Sequence, residues 1–189
     1  MHIVVVLDQY DSLNNGTTVS ARRYAEELRA RRYTVTVLAS GVAEENKVPV
    51  AEMWIPLFQS LIEKQGFCFA CPNDEAYYQA FRGADIIHFY LPTRFCRRGE
   101  EIARQMKIPT VASFHLQPEN ITYSIGLGKS KRGNEALYRF FYRYFYSRFR
   151  YIHCPSEMIA EQLNRHGYDT QCRVISNGVS DSFKPQPIE

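Results

Sequence analysis

The chain has 189 residues, 45% of them hydrophobic, which suits one well-cored domain better than two. Its 23 basic residues against 20 acidic ones leave a formal net charge of +3, too mild to argue for nucleic acid by itself. No basic segment with a long apolar core opens the chain, no stretch approaches the ~20 apolar residues of a membrane span, and the five cysteines are odd in number. The expectation is a cytosolic protein with reduced thiols.

The first forty residues read as a βαβ unit: a strand (His2 to Leu7), a turn (Asp8 to Gly16), a helix (Thr17 to Arg31) and a strand (Tyr33 to Leu38). Ile3 to Leu7 is apolar on both pleat faces, as in a parallel strand covered from both sides. Ala21, Tyr24, Ala25 and Leu28 make one apolar helix stripe. In the turn, Asn14, Asn15 and Gly16 accept left-handed backbone, and Thr17 or Thr18 can cap the helix. A helix start at the carboxyl end of a central strand suits an anion, and equally a capped loop with no ligand. Gly41 to Lys47 reads as a charged loop, Val48 to Pro56 as an extended piece broken by Pro49, and Leu57 to Lys64 and Asp74 to Phe81 as short helices. The rhythm then resumes with a strand (Asp85 to Tyr90), a helix (Cys96 to Met106) and a strand (Thr110 to Phe114). A helix (Asn134 to Arg150), a strand (Tyr151 to Cys154), a helix (Ser156 to His166, closed by Gly167) and a strand (Arg173 to Ile175) follow. This alternation specifies an α/β fold, a Rossmann-like doubly wound parallel sheet.

Among residues that carry chemistry, His115 stands at a strand's carboxyl end, where such sheets bind ligands. Gln117, Glu119 and Asn120 follow it around Pro118 in a proline-fixed polar loop, suited to binding hydroxyls or to capping the loop. The helix from Asn134 is crowded with aromatic residues and carries Arg139, Arg143 and Arg150 along one stripe. Burial with snorkelling arginines explains that pattern, and so does contact with anionic lipid, helped by Lys129, Lys131 and Arg132 and by a second cluster, Arg94, Arg97 and Arg98. Cys68 and Cys71 form a CxxC without the spaced partners of a zinc or redox site.

The C-terminal stretch adds a resemblance. Arg173-Val174-Ile175-Ser176-Asn177-Gly178-Val179 and then Phe183-Lys184-Pro185 resemble the passage that closes the N-terminal domain of family-four GT-B glycosyltransferases, the retaining nucleotide-sugar enzymes. The glycine turn at Gly16, the strand Ala84 to His88, the strand-end His115 and the Cys-Pro-Ser turn agree in order. The resemblance implies an enzyme that transfers a sugar from a UDP- or GDP-sugar to an acceptor without a bound metal or cofactor. The arginine-rich aromatic helix and the Gln117-Pro118-Glu119-Asn120 loop add the expectation of a glycolipid or lipid-linked glycan as acceptor and of a cytoplasmic enzyme peripheral at the inner face of the membrane. The resemblance implies that Gly16, with Asn15 and Thr17 beside it, faces the donor phosphates and that His115 contacts the transferred sugar; Gln117, Glu119 and Asn120, read as hydroxyl binders, are expected toward the acceptor. It also implies that Asn177 and Gly178 mark the interdomain edge, and that this chain is the acceptor-binding half, inactive without a donor-binding domain. Two departures stand out: Asn15-Gly16 replaces the usual Gly-Gly, and the donor-holding Glu-x7-Glu is missing, since Glu44 and Glu52 have that spacing only by chance. A non-catalytic nucleotide- or sugar-binding module is the rival reading, and a nucleic-acid binder is disfavoured.

Overall fold

A computed structural model describes residues 1–56, 59–64, 66–124, 126 and 130–179, with Leu61 described by its backbone alone. Seven strands, numbered in chain order, form one sheet in the order β3 (Lys47–Val50), β2 (Thr34–Ser40), β1 (His2–Gln9), β6 (Ile86–Phe89), β7 (Thr110–Ser113), β8 (Tyr151–Cys154), β9 (Gln171–Val174). Every neighbouring pair in it is parallel. A short antiparallel pair, β4 (Glu52–Met53) and β5 (Phe69–Ala70), stands beside it. The helices are α1 (Gly16–Ala30), α2 (Gln59–Lys64), α3 (Asp74–Phe81), α4 (Arg94–Gln105), α5 (Pro118–Ser124), α6 (Lys131–Tyr144) and α7 (Glu157–Arg165).

The apolar run of β1 is the reason it is central. Val4 and Val6 join the large core under α3, α4, α6 and α7, while Val5 and Leu7 pack with Ala21 and Ala25 of α1 on the other face. The chain leaves β1 toward β2 and β3 and returns to β6 on the opposite side, so the direction of winding reverses between β1 and β6. That reversal opens a crevice at the carboxyl ends of the two strands. On the α1 side, register aligns Val5, His88 and Val111 across three strands. Beyond α1, the face carrying His88, Val111, His153 and Arg173 lines an open hollow of about 760 Å³.

Several local expectations are corrected. Asn15, not a threonine, caps α1: its side chain accepts the Thr18 N–H at 2.8 Å from an extended backbone (φ −136°). Asn14, Asn15 and Gly16 are not among the left-handed residues of the described chain. Gly16 is the first helical residue, with open space over its Cα, so what it offers is access rather than an unusual φ. Helix α4 starts at Arg94 because Thr93 caps it, accepting from Cys96 at 3.2 Å. The polar loop after His115 is helix α5, opened by Pro118 at the position where a missing N–H costs nothing. The long aromatic helix stops at Tyr144; Phe145 leaves helical geometry and a 3₁₀ turn (Tyr146–Arg148) follows. The break folds Phe145, Tyr146 and Phe149 into the core together, and it removes Arg150 from the arginine stripe. The expected helix start at Leu57, Lys129 of the basic cluster, and Phe183-Lys184-Pro185 lie outside the described residues.

Candidate functional site

The carboxyl edge of the sheet holds a cleft of about 740 Å³ at the β1/β6 reversal. One wall is the start of α1, with Asn15, Gly16 and Thr17; another is the segment from His115 into α5, with Gln117 and Asn120; Asn177 closes it from the strand-end after β9. The fold thus brings together seven of the residues singled out from the sequence. Glu119 is turned away: it accepts from Tyr138 Oη at 2.9 Å and Gln162 Nε2 at 3.2 Å, and Gln117 donates to Gln162 Oε1 at 3.0 Å, so this side chain stitches α5 to α6 and α7. Gly178 lines the separate hollow on the sheet face.

The third wall was not legible as such in the sequence. Ile62, Phe67, Phe69 and Leu91 face the cleft with Leu116 and Ile121, so that part of the lining is apolar. Phe67 and Phe69 pack edge to face with ring centres 5.0 Å apart. The two-residue strand β5, a pairing too short to leave a periodic pattern, and side-chain bonds from the end of β1 to Cys68 and Ala70 bring them there.

His115 stacks on Tyr90 (5.2 Å between ring centres, 9° between planes) and meets His153 edge-on at 5.9 Å. Burial, reinforced by His153, depresses its pKa from 6.5 to about 4, and its buried Nε2 has no hydrogen-bond partner. The ring is therefore neutral at physiological pH and can accept or donate a hydrogen bond but brings no charge.

Beside it runs a chain of hydrogen bonds that sequence reasoning missed. His153 Nε2 meets the Ile175 carbonyl at 2.7 Å, which fixes that nitrogen as a donor. His153 Nδ1 then accepts the Ser113 hydroxyl at 2.9 Å, and Ser113 Oγ is left to accept from His88 Nε2 at 2.5 Å. His88 is buried and its pKa lies well below the ordinary value, mainly through desolvation. A polar residue inside an otherwise apolar strand was the one available signal.

At the end of β1, Asp8 is wholly buried. Its carboxyl accepts from Thr93 Oγ1 at 2.8 Å and from the Ala70 N–H at 3.1 Å, tying the α4 cap to β5. Burial outweighs those two bonds and pushes its pKa up to about 7.

The two arginine clusters lie on α4 and α6, apart from the cleft lining. Arg97 pairs with Glu101 at 2.6 Å and donates to the Tyr144 carbonyl at 2.9 Å; Arg98 pairs with Asp74 and with Glu101. Arg94, Arg139 and Arg143 are exposed, and Phe140 beside them is 53% exposed. Among the described residues, no group of three potential ligands is placed to hold a metal ion. No helix among them is long and apolar enough to cross a membrane.

The parallel sheet with its cleft at the winding reversal defines a Rossmann-like α/β domain. Residues 14–183 match the family described as Glycosyltransferase Family 4, and the chain belongs to that family. It is 25% identical over 189 residues to the alpha-monoglucosyldiacylglycerol synthase of Streptococcus pneumoniae, a match covering 95% of this chain. The chain spans 41% of that relative's length. Two solved structures are similar: an alpha-glucosyltransferase in complex with UDP and a 13-mer DNA containing a HMU base (13% identity, TM-score 0.49, 91% of this chain and 42% of that one), and a UGT transferase from Siraitia grosvenorii in complex with UDP (12% identity, TM-score 0.48, 95% and 51%).

Proposed function

We propose that this chain is the acceptor-binding half of a GT-B enzyme that transfers a sugar, with retention, from a nucleotide-sugar donor to a lipid-borne hydroxyl. The observation that carries the reading is the composition of the cleft. The start of α1, exposed at Gly16 and carrying the positive end of the helix dipole, faces an apolar wall of Ile62, Phe67, Phe69 and Leu91 across one crevice. A donor phosphate suits the first wall; the acyl portion of a lipid suits the second, and a free sugar would leave that wall dry and unused. Family membership and the name of the diacylglycerol-glycolipid relative support the same assignment.

In this reading Asn15, Gly16 and Thr17 face the donor phosphates, and His115 hydrogen-bonds the transferred sugar as a neutral ring. Gln117 and Asn120 orient the acceptor headgroup, and Asn177 and Gly178 mark the edge toward the donor-binding domain. Catalysis then rests on positioning and oriented dipoles shared between two domains. The exposed Arg94, Arg139, Arg143 and Phe140 offer anionic lipid a surface that holds the enzyme at the membrane where its acceptor resides. Arg97 and Arg98 contribute less, because acidic partners already neutralise them.

The test is a transfer assay on the full-length protein with UDP- and GDP-sugars against diacylglycerol, glycolipid and free-sugar acceptors. Transfer to a lipid, with the anomeric configuration of the donor kept in the product by NMR, is the expected result. Transfer only to free sugars refutes the acceptor assignment, and an inverted product refutes retention.

A further inference from the structure

The residue after Asp8 is also polar and buried: Gln9 is 8% exposed and uses both ends of its amide. Its Oε1 accepts from the Cys68 N–H at 3.3 Å, and its Nε2 donates to Asn14 Oδ1 at 3.3 Å. Its backbone carbonyl accepts from the Thr18 hydroxyl at 3.1 Å. Asn14 Oδ1 in turn accepts from Asn15 Nδ2 at 3.4 Å, and Asn15 caps α1. From the other side, Gly66 (φ +65°) lies so close to the Asn14 amide that a Cβ there would collide with it. The turn bearing Asn15 to Thr17 and the segment bearing Phe67 and Phe69, opposite walls of the cleft, therefore meet at one seam. Gln9 bonds to both.

We propose that Gln9 is a positioning residue, which sets how closely the Asn15–Gly16 turn approaches the Phe67 and Phe69 wall and so holds the donor-facing turn in register with the acceptor. The role of the turn rests on the function proposed above. Glutamine suits the seam because one neutral group supplies an acceptor to a backbone N–H and a donor to Asn14. Glutamate has two acceptors and would add charge beside an anionic donor; methionine has neither. Misplacing a ligand-facing turn by a fraction of an ångström lowers rate through orientation, without removing any group that touches the substrate.

The test is Gln9→Met in the full-length protein, which keeps side-chain length and apolar volume but removes both bonds. Amide hydrogen exchange should quicken at Cys68 and, beyond it, at Thr18, with the central strands unchanged. The kcat/KM for the donor should fall roughly tenfold while the acceptor KM stays within about twofold. Adding Asn14→Ala should cost less than it does in the wild type, because the Gln9–Asn14 bond is already gone and only the exposed 3.4 Å bond from Asn15 is left to lose. Unchanged exchange at Thr18 overturns the proposal whatever the activity. So does altered exchange with unaltered donor kinetics, or donor and acceptor constants that worsen together in step with thermal stability. A wild type that transfers no sugar overturns the functional reading but not the seam, which the exchange pattern still confirms or refutes.

Discussion

At His115, desolvation and the neighbouring His153 keep the imidazole uncharged at neutral pH, so in the proposed site it offers a directed hydrogen bond rather than a charge. His115→Ala in the full-length enzyme should lower kcat by about two orders of magnitude while thermal stability falls by only ~1–2 kcal/mol, since the lost packing is one ring stacked on Tyr90. Steady-state kinetics paired with unfolding curves checks the split. The same depressed pKa sets a stability trend: the contribution of His115 is complete above pH 6.5 and is lost as pH falls toward 4. Asp8 behaves oppositely. Its folded-state value of about 7 lies above the ordinary 3.8, so its contribution is complete below 3.8 and is lost as pH rises through 7. Asp8→Asn should therefore gain stability relative to wild type by about 2–3 kcal/mol between roughly pH 5 and pH 8, measured by urea unfolding at each pH. A difference that does not change with pH would mean that Asp8 is charged throughout.

At the scale of elements, α4 shows how a helix is fixed against a sheet. Gly99 faces Phe89 and Tyr77, and a Cβ at that position would sit 2.9 Å from Phe89 Cε1 and 3.0 Å from Tyr77 Cε1. Both rings are fully buried and cannot yield. Alanine improves helix propensity by ~1 kcal/mol, but overpacking costs ~1–3 kcal/mol, so Gly99→Ala should destabilise on balance by about 1 kcal/mol in denaturant unfolding. One residue on, Glu100 is 2% exposed and is engaged by Arg97, Arg104 and Arg148. It anchors α4 to the 3₁₀ turn after α6. Glu100→Gln leaves the largely buried Arg148 guanidinium without its counter-charge, while Arg97 keeps Glu101 and Arg104 is largely exposed, and should cost roughly 2–3 kcal/mol in denaturant unfolding.

At the scale of the whole molecule, the proposed division of labour makes two predictions. The isolated 189-residue chain should show saturation-transfer NMR signals with glycolipid acceptors and none with nucleotide sugars, because the phosphate-facing turn is only one side of a donor site. Tight nucleotide binding by this chain alone would favour the non-catalytic module instead. The arginine face of α6 should draw the protein to vesicles containing anionic lipid in co-sedimentation. The pair Arg139→Glu and Arg143→Glu should reduce that partitioning by roughly tenfold or more, given about 1 kcal/mol for each basic residue near such a surface. Equal sedimentation with neutral vesicles would remove this surface from the membrane.

The sequence by itself determined the parallel α/β sheet, its first strand as the centre, the helix that Ser156 opens and Gly167 closes, and the carboxyl edge as the place of the cleft. These follow from local rules: two-sided apolar strands, capping residues and the alternation of strand with helix each leave their mark within a few residues of chain. Only the tertiary structure decided what the cleft is made of. The Phe67 and Phe69 wall depends on β5 meeting β4 and on the Gln9 seam, contacts between residues up to 59 positions apart in the chain. The withdrawal of Glu119 toward Tyr138 and Gln162, and the ion pairs that quiet Arg97 and Arg98, are likewise partnerships across elements. So is the end of the aromatic helix at Tyr144, where burying Phe145, Tyr146 and Phe149 together wins over helical continuity. Periodicity records which face of an element is covered; which partner covers it is settled only when the chain closes on itself.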